Sequence, residues 1–178
     1  MTAVVGLVAD GKVWLGADSA TTWDSTRLEI TSNPKVFRVG PFLVGSAGSG
    51  RTQRILRHGW TPPKRGKAGL EQYIATTVVD SIRRALFEGG AAEKQNNVED
   101  AGGDILLGYR GHLFRVDSDY TVDEAKAPYN AVGCGCHVVL GAMYANKAAP
   151  PKQRILTALR AAQEFNWGVR GPFVVEVM

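Results

Sequence analysis

Asp10-Gly11 sits between two runs, Thr2 to Val8 and Lys12 to Ala17, that both read as extended strands. Aspartate and glycine both tolerate the positive φ that a tight two-residue turn requires, so this pair folds the chain back on itself as an antiparallel ribbon. The pattern repeats at Lys35 to Val39 and Phe42 to Gly45, with Gly40-Pro41 as the turn. The chain therefore begins as a small antiparallel sheet.

Helical spacing takes over further along. Leu70, Tyr73, Ile74, Val78, Ile82, Ala85 and Leu86 recur every three to four residues, and Gly89-Gly90 ends the run. A shorter helix is expected over Arg51 to Arg57. Residues 91–103 are polar and glycine-rich, which predicts a loop. Strands return at Asp104 to Tyr109 and His112 to Val116, joined by Arg110-Gly111. A third helix is expected over Val138 to Asn146. Pro150-Pro151 interrupts the chain before a last helix marked by Ile155, Leu156, Leu159 and Ala162, and Phe173 to Val177 reads as a closing strand. Segregated runs of strands and helices indicate an α+β class rather than alternating βαβ units. No repeat, linker or low-complexity tract divides residues 1–178, so one domain is expected.

Composition narrows the function classes. No apolar run reaches the roughly 20 residues of a membrane span, and the N-terminus lacks the basic flank of a secretory signal. Cys134 and Cys136 make no disulfide framework, so a reducing cytoplasm is expected. The net charge of +4 is mildly basic, with part of the excess in Arg51, Arg54, Arg57, His58, Lys64, Arg65 and Lys67. A solvated helix face and loop accounts for that stretch. A patch for an acidic partner or nucleic acid is the sharper reading, and no nucleic-acid motif accompanies it.

Three features could carry chemistry. Thr2 follows Met1 directly, and methionine is trimmed before a small residue. That would leave a hydroxyl and a free amine on one residue, and an α-amine titrates near neutrality, at about 7.7–8. Taken alone, Thr2 is simply the second residue of a strand. Asp18, in Gly16-Ala17-Asp18-Ser19-Ala20-Thr21-Thr22, closes the second strand as a site carboxylate or as a turn cap. Lys35, in Pro34-Lys35-Val36, opens the next strand, and a lysine aimed into a core needs a carboxylate partner such as Asp18.

Together with Gly45-Ser46-Ala47-Gly48-Ser49-Gly50, these segments resemble the proteasome β-subunit family of N-terminal-nucleophile (Ntn) hydrolases, including bacterial HslV. Ala131-Val132-Gly133-Cys134-Gly135-Cys136 is similar to the family's Val-Gly-Ser-Gly segment before a helix, and Gly108-Tyr109-Arg110-Gly111 sits where the family has a tight hairpin. The resemblance implies a four-layer αββα sandwich with two antiparallel sheets between helical layers. It implies a threonine endopeptidase in which Thr2 supplies nucleophile and base, Lys35 favours the neutral amine, Asp18 orients Lys35, and the Gly48 N–H receives the oxyanion. Thr22 and Ser46 would flank the substrate cleft. It further implies peptide or unfolded-protein substrates and homo-oligomeric rings, with helices 51–57 and 70–88 as contacts, and it allows an ATPase regulator as a further partner. No cofactor, metal, nucleic acid or membrane is expected.

The sequence departs from the family in its later half. Cys134 replaces the helper serine, and a thiol is the weaker hydrogen-bond partner. The family's Asp-x-x-Ser-Gly motif is absent. Glu164 falls near its aspartate, as a candidate helper, and Gly168-Val169 falls where Ser-Gly would be. These departures fit a bacterial, phage or HslV-like relative better than a conventional proteasome subunit. An idle ring-forming protein and a small-molecule amidohydrolase of the same fold stay open as alternatives. Cys134, Cys136 and His137 lack the second ligand pair of a zinc site, and Gly45 to Gly50 lacks the Gly-Lys-Ser/Thr ending of a phosphate loop.

Overall fold

The computed structural model describes residues 1–23, 26–95 and 98–178. β1 (Val4–Ala9) and β2 (Lys12–Ala17) form the expected hairpin, in register from Val4↔Ala17 to Ala9↔Lys12. Asp10 and Gly11 at its tip have φ of 54° and 69°, the doubly positive turn that matches strand twist. β3 (Ala20–Trp23) and β4 (Arg27–Ile30) make a separate ribbon, followed by β5 (Val36–Val39) and β6 (Phe42–Gly48). α1 (Gly50–His58) starts at Ser49, whose side chain accepts from the Arg51 N–H. α2 (Leu70–Gln72) passes through a π-helical segment, Tyr73–Val78, into α3 (Val79–Glu88).

β7 (Glu93–Gln95) and β8 (Val98–Asp100) pair with each other where the sequence reads as a loop, and residues 96 and 97 of that stretch lie outside the described residues. β9 (Gly103–Tyr109), β10 (His112–Val116), β11 (Val122–Glu124) and β12 (Tyr129–Val132) follow. α4 (Cys136–Ala145) begins two residues before the expected Val138. α5 (Pro151–Phe165) carries a proline in its first turn, where the missing N–H is harmless, and β13 (Val174–Val177) closes the chain.

The strands form two antiparallel sheets, ordered β12-β1-β2-β13 and β11-β10-β9-β6-β5. Strand alternation sends successive side chains to opposite faces, and here both faces are buried. Val4, Val13, Leu15, Leu43 and Leu106 meet between the sheets. Val5 and Leu7 of β1 pack on Val139, Met143, Ile155 and Leu159 of α4 and α5. Phe42 and Val44 of β6 pack on Leu56, Ile74, Val78 and Ile82 from α1 to α3. The result is the αββα sandwich, an α+β fold. Gly6, Gly45 and Gly108 let the sheets approach closely: a Cβ at each would come within 2.7 Å of an opposing side chain.

The topology collects the candidate residues at one end of the sandwich. Thr2 precedes β1, Asp18 follows β2, Lys35 precedes β5 and Gly48 ends β6. Cys134 lies between β12 and α4. The registers Val4↔Ala17, Val4↔Val132 and Val36↔Gly45 bring those strand ends together. Among the described residues, no helix is long and apolar enough to cross a membrane.

Candidate active site

Asp18 organises the site. Its Oδ1 accepts from Lys35 Nζ at 2.8 Å and from the Ala3 N–H at 3.0 Å, and its Oδ2 accepts from the Ala20 N–H at 3.0 Å. The carboxylate therefore holds the backbone one residue beyond Thr2 and the lysine head at once. Asp18 is 1% exposed and Lys35 5%, so this ion pair is shielded from solvent screening. Burial pulls the Lys35 ammonium below the usual lysine range, with the Asp18 charge and hydrogen bond opposing it. The Lys35 head also donates to the Met1 carbonyl, at 3.4 Å.

Thr2 is fixed from the other side by the turn before α4. Its nitrogen donates to Cys134 Sγ at 3.2 Å, and its carbonyl accepts from the Gly135 N–H at 3.2 Å and from Cys134 Sγ at 3.4 Å. Gly133 has φ of 92°, and a Cβ there would stand 2.4 Å from the Thr2 carbonyl oxygen; only glycine permits this approach. The Thr2 hydroxyl donates to the Met1 carbonyl at 2.7 Å. With Met1 attached, the Thr2 nitrogen is an amide and cannot act as a base. The Met1 ammonium donates to Thr22 Oγ1.

Two clefts meet at Thr2. The larger, of about 970 Å³, runs past Thr22 and Asn33 to α1, and the smaller, of about 430 Å³, runs past Cys134 and Gly133 to Gly102 and Asp104. Met1, Thr2 and Gly48 border both. Gly48 has φ of 136°, and a Cβ there would fall 2.1 Å from the Gly102 carbonyl oxygen. The close pass of the Gly102–Gly103 backbone therefore requires glycine here, and Gly48 is itself exposed on the border of both clefts.

Thr2, Asp18, Lys35, Gly48 and Cys134 thus come together, and Thr22 lies on the wall of the larger cleft. Ser46 does not lie on that wall. It is 1% exposed, beneath Gln53, whose Nε2 donates to the Ser46 carbonyl at 3.2 Å. Its position on β6 explains this, because Ser46 shares the helix-facing side with Phe42 and Val44. Glu164 is exposed near the end of α5, and its side chain has no hydrogen bond or ion pair among the described residues. The residue that reaches the site is Asn166, just past the helix, whose Nδ2 donates to Cys134 Sγ at 3.4 Å. Nothing local marks Asn166, 32 residues from its partner. Among the described residues, no cluster of His, Cys, Asp and Glu is arranged to hold a metal ion.

No family model and no curated protein matches the chain. Solved structures do. BPH of Thiobacillus denitrificans is 28% identical over 99% of this chain and 97% of its own, with a TM-score of 0.84. The same protein in complex with epoxomicin gives 27% identity, 99% and 98% coverage, and a TM-score of 0.82. HslV from Trypanosoma brucei has 17% identity, 99% and 98% coverage and a TM-score of 0.70, a likeness of fold. With this architecture, and with such neighbours along its whole length, the chain has the fold of the proteasome-type Ntn hydrolases and resembles that family from end to end.

Proposed function

We propose that the chain is a threonine-type peptidase subunit that works through Thr2 after Met1 is removed. The observation that carries this reading is the buried Lys35–Asp18 pair beside Thr2 at the junction of two clefts. Removal of Met1 frees the Thr2 amine, and the neighbouring Lys35 charge favours its neutral form. The amine takes the hydroxyl proton as Thr2 Oγ1 bonds to the peptide carbonyl carbon. The Gly48 N–H receives the negative charge that develops on the carbonyl oxygen. The C–N bond then breaks, the leaving nitrogen takes the proton from the ammonium, and an ester links the acyl group to Thr2. Water gives a proton to the same amine, attacks the ester, and returns the hydroxyl. Assembly into rings that enclose such sites, acting on peptides or unfolded proteins in the cytoplasm, belongs to the same proposal.

The test is hydrolysis of fluorogenic peptides by processed protein and by Thr2→Ala. Turnover by the first and none by the second is the expected result. Equal turnover by both would assign the nucleophile elsewhere.

A further inference from the structure

The basic stretch that begins at Arg51 has no part in the proposed reaction, yet two of its arginines line the larger cleft. Arg51 and Arg54 lie three residues apart on α1, a spacing that puts both on one helix face. Arg51 is held in place: its Nε donates to the Gly89 carbonyl at 2.8 Å, and its Nη2 donates to the same oxygen. Neither arginine has a carboxylate partner among the described residues, and the Arg54 side chain has no hydrogen bond there either. No Asp or Glu among the described residues lines this cleft. The smaller cleft has the opposite balance: Asp100 and Asp104 line it, Asp104 at 3.5 Å from Arg115 Nη2, and among the described residues no Lys or Arg lines it.

The reaction chemistry fixes which side of a peptide enters which cleft. The amine that hands its proton to the leaving nitrogen must stand beside that nitrogen. The Thr2 nitrogen points at Cys134 Sγ, on the wall of the smaller cleft. The leaving half of the substrate therefore runs into the smaller cleft. The acyl half, whose carbonyl lies over Gly48, runs along Ser49 and Gly50 toward Arg51 and Arg54. We infer that the site cleaves after acidic residues, with Arg54 and Arg51 as specificity-determining residues and with Asp100 and Asp104 disfavouring acid on the leaving side. This inference rests on the peptidase reading above.

Three fluorogenic peptides that differ only in the residue before the fluorophore (Glu, Leu or Lys) test it on processed full-length protein. The Glu peptide should exceed both others in kcat/KM by about tenfold, the low end for one charge-assisted hydrogen bond. In Arg54→Glu the Glu:Lys ratio should invert, with Arg54→Gln between. A ratio measured within one preparation does not depend on the fraction that is folded. A wild-type preference for Leu or Lys, or an unchanged ratio in Arg54→Glu, overturns this inference and leaves the peptidase reading standing. Failure to cleave any peptide, with Thr2 unreactive to an epoxyketone, overturns both.

Discussion

Replacing Asp18 by asparagine removes the carboxylate charge paired with Lys35 while keeping the side chain's shape. The carboxylate now satisfies three donors: Lys35 Nζ at 2.8 Å and the Ala3 and Ala20 N–H groups at 3.0 Å each. An asparagine amide offers one oxygen and turns an NH₂ toward the remaining donors. Removing one partner of a buried pair destabilises by about 3–5 kcal/mol. Because every contact of Asp18 is disturbed, about 4 kcal/mol is expected, or roughly 8–16 °C in Tm for a chain of this size. The loss should depend on pH with a definite sign. Burial already lowers the Lys35 pKa, and Asp18 opposes that fall; without Asp18 it drops further, while the unfolded lysine stays near its ordinary value of about 10.4. Between those two values the unfolded state holds more protons than the folded state, so stability rises with pH. The gap in Tm between Asp18→Asn and wild type should therefore be widest near neutrality and shrink as pH approaches about 10. Scanning calorimetry of both proteins from pH 7 to 10 measures this. A gap of less than about 2 °C at pH 7, or a gap unchanged across that range, would refute the assignment of Asp18 as the charge that supports Lys35.

Lys35→Ala should reduce peptide hydrolysis by about 10²–10⁴-fold, the span of a general-base contribution, with circular dichroism unchanged; near-wild-type turnover would remove Lys35 from the mechanism. Cys134→Ser should hydrolyse peptides at least as fast as wild type, since a hydroxyl is the stronger partner for the Thr2 nitrogen, and a tenfold loss in kcat would show that the thiol itself is needed. Gly48→Ala places a methyl 2.1 Å from the Gly102 carbonyl at a φ of 136°. It should lower stability by at least about 1–3 kcal/mol in urea unfolding; an unchanged midpoint would contradict the described backbone.

The sandwich was legible where the sequence carries strong local signals. Asp10-Gly11 dictates its own turn, the positive φ of 48° at Arg110 and 81° at Gly111 bears out the hairpin between Asp104 to Tyr109 and His112 to Val116, and the apolar spacing from Leu70 to Leu86 marks one buried helix face. The β3–β4 ribbon was not legible, because Thr21, Thr22, Arg27 and Glu29 show no apolar alternation and pair at the cleft rim rather than in the core. The β7–β8 pair was not legible either, because Glu93 to Asp100 is a polar stretch with no apolar alternation. In the site, Thr2, Asp18 and Lys35 each adjoin a strand end and could be placed by register. Asn166 could not, because it meets Cys134 only after α5 has docked on the first sheet. Ser46 was misplaced by one layer, although its position two residues after Val44 on an alternating strand already sets the face it shares.

The proposed reaction needs a hydroxyl and a free amine both belonging to Thr2, and one mass measurement addresses that directly. A peptide epoxyketone closes a ring only with both groups on one residue. Intact mass spectrometry and peptide mapping of processed protein should therefore show a single adduct, located at Thr2, and none on Thr2→Ala or on chains that retain Met1. An adduct on Cys134 or Cys136 with Thr2 untouched, or labelling of chains that still carry Met1, would contradict the central claim.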